Sequence, residues 1–206
     1  MEVIEYQTGP LRVNTYLVYD ETKEAFLVDP GSYLKQISNT IVEKELNLKY
    51  IVLTHGHGDH IGGIPQFKID FPDVKVVALD LEKEVLNDPI LNNSAVILGG
   101  QVAMDADEYV SDGQTIQVGD MALKVVATPG HTPGGMSILL EDAVFCGDTL
   151  FKGSIGRSDM PGGDYLALIN SIKTKLFVLP DDTKVYPGHM GKTTIGWEKK
   201  HNPFVG

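Results

Sequence analysis

Six residues, His55-Gly56-His57-Gly58-Asp59-His60, constrain this chain more than any other stretch of its 206. Four of the six carry imidazole or carboxylate groups, the donor types that suit zinc and neighbouring first-row metals. Glycine at 56 and 58 lets the backbone bend tightly, so the side chains can turn toward a common point. The run follows Tyr50-Ile51-Val52-Leu53, a short apolar stretch that predicts a buried strand. A lone histidine here would read as a polar surface turn. Four donors in six residues read as a metal loop at the end of a strand.

The same arrangement recurs along the chain. His131 lies in Thr128-Pro129-Gly130-His131-Thr132-Pro133-Gly134-Gly135, directly after the apolar Val125-Val126-Ala127. Asp148 follows Phe145-Cys146-Gly147, where a buried carboxylate is costly unless paired or metal-bound. His189 closes Val185-Tyr186-Pro187-Gly188-His189, again an apolar run, a glycine and a histidine. Singly, each has an ordinary alternative as a turn or capping residue. Together, five of the six histidines and two aspartates share one kind of place, which points to a single metal centre built from strand ends.

The remaining pattern predicts an α/β fold. Arg12 to Tyr19 and Ala25 to Asp29 read as strands, the second ending at the turn Asp29-Pro30-Gly31. Tyr33 to Leu46 has helical spacing, and helix, strand and helix are expected over Ile61 to Ile69, Val74 to Leu79 and Asp80 to Leu86. Two hairpins follow, Gln114 to Val118 with Ala122 to Ala127, and Ser137 to Leu140 with Ala143 to Cys146. Asp164 is placed to cap a helix through Leu176, before a strand near Val185. The stretch from Asp88 to Tyr109 has the weakest pattern and reads as a mobile cover or a long surface connection. With no linker or repeat, residues 1–206 are expected to form one domain.

Composition excludes some partners. A formal charge of −11 with scattered basic residues disfavours nucleic acid. No run approaches the ~20 apolar residues needed to span a bilayer, and Met1 to Glu5 lacks the start of a signal peptide. A single cysteine, Cys146, excludes an intramolecular disulfide and agrees with a reducing compartment, so a cytoplasmic location and no membrane partner are expected.

His-x-His-x-Asp-His followed by His131, Asp148 and His189 resembles the metal-binding signature of the metallo-β-lactamase superfamily across nearly the whole chain. Asp29 in Leu27-Val28-Asp29-Pro30-Gly31 matches the family's first motif, in which the aspartate supports the site from outside the ligands. The resemblance implies an αββα sandwich: two mixed β-sheets face to face, with helices on the outer faces. It also implies two divalent metal ions, zinc first and iron or manganese as alternatives. His55, His57 and His131 would hold one, Asp59, His60 and His189 the other, and Asp148 would bridge them. A hydroxide shared between metals ~3.5–4 Å apart would be the nucleophile, oriented by Asp59.

Gly147-Asp148-Thr149-Leu150-Phe151, Gly153-Ser154-Ile155-Gly156-Arg157 and Pro161-Gly162-Gly163-Asp164 are similar to the small glyoxalase II-like hydrolases of that superfamily. This implies a small-molecule thioester or related carbonyl ester as substrate, with Arg157 placed to pair with a carboxylate. Asp148 and the absent signal peptide argue against β-lactam hydrolysis, because the family's true β-lactamases generally lack a bridging aspartate at this position and are exported. Full-length glyoxalase II enzymes carry a glutathione-binding helical domain after the last ligand and a tyrosine two places beyond it. Here 17 residues follow His189 and Gly191 stands in the tyrosine's place. Rival readings are a mononuclear iron persulfide dioxygenase using His55, His131 and Asp148, and a non-catalytic metal-binding module. Cys146 is expected to pack, as is Trp197, with His201 at the surface.

Overall fold

The computed structural model describes residues 1–205. Strands β1 (Glu2–Thr8), β2 (Val13–Tyr19), β3 (Glu24–Val28), β4 (Asn47–Val52), β5 (Lys75–Leu79) and β6 (Glu108–Val110) form one sheet in sequential order. Its first two pairings are antiparallel; β3 to β6 run parallel. The second sheet orders β14 (Thr193–Thr194), β13 (Lys184–Pro187), β10 (Ala143–Gly147), β9 (Met136–Leu140), β8 (Met121–Ala127) and β7 (Thr115–Val118). Only β10 and β13 pair in parallel there, so both sheets are mixed. A short ribbon of β11 (Leu150–Phe151) and β12 (Ser154–Ile155) stands apart.

Alternation of side chains along the strands divides the apolar residues into three layers. Tyr16, Val18, Phe26, Val28, Val52 and Val77 of the first sheet meet Leu123, Val125, Ile138 and Phe145 of the second between the sheets. The opposite face of the first sheet, including Leu17, Leu27 and Ile51, packs on α1 (Lys35–Glu43), α2 (Gly58–Ile61) and α3 (Ile64–Asp70) through Ile37, Ile41, Ile61, Ile64 and Phe67. On the far face of the second sheet, Val144, Cys146 and Val185 meet Leu168 of α6 (Tyr165–Ser171) and Ile195 of α7 (Ile195–His201). The expected αββα sandwich is the observed architecture.

Local differences from the sequence reading have identifiable causes. The helix expected over Ile61 to Ile69 is two helices, broken by Gly62-Gly63, the first beginning early enough to include Asp59 and His60. Pro65 falls in the first turn of α3, where a missing N–H costs nothing. The helix predicted from Asp80 opens as a 3₁₀ turn (Asp80–Glu82) before α4 (Lys83–Asn87). The weakly patterned stretch holds α5 (Ser94–Ile97) and β6, and buried Asn92 pins it by donating to the carbonyls of Val102 and Leu86. Asp164 caps α6 as expected, accepting from the Ala167 N–H at 3.0 Å. The helix then widens into a π-helical turn over Ile172–Leu176.

At the centre, Phe145 packs edge-on to Tyr16 and Phe26 and stacks on Tyr186, with ring centroids 5.4, 6.2 and 4.8 Å away. It is fully buried, so truncation leaves a cavity that rigid neighbouring rings cannot fill. Phe145→Ala is expected to lower stability by about 3–5 kcal/mol, read as a shifted midpoint in urea unfolding.

Candidate metal centre

Each side chain singled out in the sequence sits at the carboxyl end of a strand. His55 and His57 follow β4, and Asp59 and His60 open α2. His131 lies in the turn after β8, Asp148 just beyond β10 and His189 just beyond β13. Because these strands come from both sheets, one edge of the sandwich gathers all seven. Ring and carboxylate contacts join them: His57 Nδ1 to His131 Nε2 at 2.9 Å, His131 Nε2 to His55 Nε2 at 3.2 Å, and His189 Nε2 to Asp59 Oδ2 at 3.3 Å. Asp148 touches both sides, Oδ1 at 3.4 Å from His60 Nε2, and Oδ2 at 3.5 Å from His131 Nε2 and 3.6 Å from His189 Nε2.

Two three-residue groups have ligand atoms close enough to share an ion: His55, His57 and His131, and Asp59, His60 and His189. Asp29 with His55 and His60 meets the same spacing. Its oxygens, however, already accept from Thr54 N at 2.8 Å, Thr54 Oγ1 at 2.6 Å and His60 Nδ1 at 3.0 Å. Asp29 therefore braces the loop from behind, at a left-handed φ of 47° that aspartate tolerates better than most L-residues.

Outer hydrogen bonds fix which ring nitrogens face inward. His131 Nδ1 lies 2.6 Å from the Arg157 carbonyl, which only accepts, so Nδ1 carries the hydrogen. The Thr54 hydroxyl donates to Asp29 and so accepts from His55 Nδ1 at 3.1 Å. His60 Nδ1 donates to Asp29. In neutral His55 and His131, the Nε2 lone pairs consequently face each other at 3.2 Å, an arrangement that repels unless a cation lies between. Among the described residues, His57 Nε2, His60 Nε2 and Asp148 Oδ1 are buried without any hydrogen-bond partner. Such orphaned atoms fit a metal site. A Cβ on Gly188 would stand 2.3 Å from Asp148 Oδ1, so the turn before His189 leaves that oxygen its space.

Electrostatics separates the two groups. Burial, reinforced by neighbouring histidines, holds His55 well below the ordinary histidine pKa. Burial and then His131 bring His57 down to about 3. Burial also lowers His131. For His60 burial works the same way, but Asp148, Asp59 and Asp29 outweigh it and hold the ring well above its usual value. His189 is raised against burial by its bond to Asp59 and by Asp148. Burial would raise Asp148, yet His60, His131 and His189 keep it far below the carboxylate range. One side is thus a neutral lone-pair cluster and the other a carboxylate–imidazole network with strong affinity for positive charge.

Arg157 meets the His131 turn through its main chain. Its guanidinium is exposed and pairs with Asp159 through two bonds of 2.9 and 3.0 Å, while its backbone carbonyl is the group that orients His131. Three residues that the sequence reading passed over also shape the site. Thr54 relays Asp29 to His55. Asn14 Nδ2 donates to the carbonyls of Pro187 and Met190, on either side of His189, at 3.0 and 2.8 Å. Glu82 lies behind the first loop, accepting from the Gly56 N–H. None of these shows a local sequence signal, because each acts through contacts distant in the chain.

Residues 8–189 match the model of the metallo-β-lactamase superfamily, and this chain belongs to that family. A relative named hydroxyacylglutathione hydrolase GloC, from Haemophilus influenzae, is 37% identical over 93% of this chain and 92% of its own. Among solved structures, BLEG-1, titled a B3 metallo-β-lactamase, superposes with a TM-score of 0.93 at 36% identity over 99% of both chains. TTHA1623, solved in a di-iron-bound form, gives 0.86 at 32% identity over 98% of this chain and 100% of its own.

Cys146 is buried among apolar residues, and burial pushes its thiol up to about 12. The native protein is expected to give no reaction with a disulfide reagent at pH 8 and one thiol per chain after denaturation. A thiol that titrates rapidly in the native state would restore cysteine as a nucleophile candidate.

Proposed function

We propose that this chain is a dinuclear metal-dependent hydrolase that cleaves thioesters or related carbonyl esters of small molecules. The observation that carries the reading is Asp148, whose Oδ1 approaches His60 of one group and whose Oδ2 lies between His131 of the other group and His189. Asp59, His60 and His189 form a second group beyond the His55, His131 and Asp148 that a mononuclear iron site would use. Divalent cations bound at such a centre supply Lewis acidity toward a carbonyl oxygen and acidify water. Zinc suits the nitrogen and oxygen donors, and the di-iron form of TTHA1623 supports iron as the alternative.

The chain's own residues then have separable tasks. His55, His57 and His131 would present neutral nitrogens to one ion, and Asp59, His60 and His189 would hold the other, with Asp148 within reach of both groups. Asp59 Oδ2, facing His189 Nε2 at the rim of the cluster, is positioned to accept a hydrogen bond from a water that attacks the carbonyl carbon. Arg157 can take up a substrate carboxylate by exchanging it for Asp159. The similarity to GloC supports a thioester substrate. The single buried cysteine fits a reducing compartment, and we place the enzyme in the cytoplasm. No described helix is long and apolar enough to cross a membrane.

The likeness to BLEG-1 raises a second reading, β-lactam hydrolysis, against which the aspartate at 148 weighs. One preparation decides between them. Protein purified without added metal, analysed for metal content and then assayed with lactoylglutathione, a small-thiol thioester and a chromogenic β-lactam, should hold about two ions per chain and turn over a thioester. One iron per chain with oxygen uptake on a persulfide would replace this reading with the dioxygenase, and β-lactam cleavage alone would replace the substrate class. Asp148→Ala is expected to lose metal and hydrolysis together, whereas Cys146→Ala keeps both near wild type. Loss of hydrolysis at unchanged metal content in the cysteine variant would overturn the ligand assignment.

A further inference from the structure

Glu82 lies outside the ligand cluster, on the 3₁₀ turn after β5, and is completely buried. Its Oε1 accepts the Gly56 N–H at 2.8 Å, and its Oε2 accepts the Gly134 N–H at 2.8 Å and the Thr132 hydroxyl at 3.0 Å. Gly56 separates His55 from His57, and Thr132 follows His131. A single carboxylate therefore fastens both turns that carry the three-histidine group. The second turn is built for this approach, since a Cβ on Gly134 would stand 2.1 Å from the Glu82 nitrogen and 2.4 Å from the Leu81 carbonyl carbon.

All three hydrogen-bond partners are neutral donors, and burial pushes the acid up to about 7 in spite of them. A buried carboxylate without a countercharge costs stability that an apolar side chain of similar size would not. Its geometry explains the cost. The two turns come from different sheets, and no strand pairing joins β4 to β8. The distance between His55 or His57 and His131 thus depends on contacts other than strand pairing, the Met136 N–H on the Thr54 carbonyl at 2.8 Å and the carboxylate of Glu82 among them.

We propose that Glu82 is a positioning residue that sets the spacing between the His55–His57 loop and the His131 turn, and through it the affinity of that three-histidine group for a metal ion. This rests on the metal-centre reading above. The isosteric Glu82→Gln would keep the shape and replace one acceptor oxygen with an NH₂ group. Whichever way the amide faces, that group meets a donor, and one of the two turns is released. Groups that hold metal ligands from behind typically alter affinity by 10–100-fold when changed.

The test is zinc titration of the full chain after chelator treatment, in competition with a chromophoric chelator. Wild type is expected to show two sites. Glu82→Gln should weaken one by about 10–100-fold and leave the other within about twofold. Thr132→Val, which keeps the carboxylate and removes one donor, should weaken the same site by less, and it serves if Glu82→Gln does not fold. Glu198→Gln is the control. Glu198 is also completely buried and accepts from Gly153 N, Thr193 Oγ1 and Asn202 Nδ2, but it touches neither ligand-bearing turn. It should leave both zinc affinities unchanged even where it lowers the melting temperature of the metal-free protein. Equal weakening of both sites, no weakening in either Glu82→Gln or Thr132→Val, or the same loss in Glu198→Gln would each overturn the proposal. A wild type that binds no zinc would sink the metal-centre reading and this inference with it; two sites unmoved by the variants would sink this inference alone.

Discussion

The structure turns on a costly arrangement: imidazole lone pairs and carboxylates buried together at one edge of the sandwich. His55 Nε2 and His131 Nε2 stand 3.2 Å apart with no hydrogen to share, and Asp59 and Asp148 both bear on His189. The carboxylates and the rings of His60 and His189 attract one another, but the facing lone pairs of His55 and His131 do not. The three apolar layers supply the free energy that holds the strand ends in place. A fold that buries apolar surface on both faces of two sheets tolerates a repulsive edge that a smaller core would not.

Around that edge lies a second set of polar residues whose task is orientation. Asp29 receives three hydrogen bonds and through them fixes Thr54, His55 and His60; the Arg157 carbonyl fixes His131; Asn14 fixes the turn holding His189. The tautomer of each ring follows from its outer partner, so the inward lone pairs are decided by residues that never face the centre. Asp29 adopts a left-handed backbone conformation to do this, and Glu82 accepts burial without a countercharge.

The seven inward groups were legible in the sequence because donor type, glycine and a preceding apolar run occur together at each of them. The sandwich was legible by family resemblance, and its buried strands by their β-branched runs. Thr54, Asn14 and Glu82 were not, since the contacts that give them meaning bridge 25, 173 and 52 positions of sequence. Arg157 was noticed for its guanidinium, although its carbonyl, common to every residue type, is what meets His131. Strand β1 escaped notice because its burial is partial, as suits a strand at a sheet edge, and the break after α2 was hidden by the apolar periodicity continuing across Gly62-Gly63.

The reach of Asn14 across 173 residues to the Pro187 carbonyl bears on how the molecule assembles. His189 is the last of the seven clustered residues in sequence, and its turn is held by Asn14 of β2. Until β13 has docked against β10 and Asn14 has met the turn beyond it, the final side chain of the second group is not in place. Non-local pairings of this kind form late, after the entropy of closing a long loop has been overcome. An ion held by the whole set would therefore report that the segments around Asn14 and His189, far apart in sequence, have found each other.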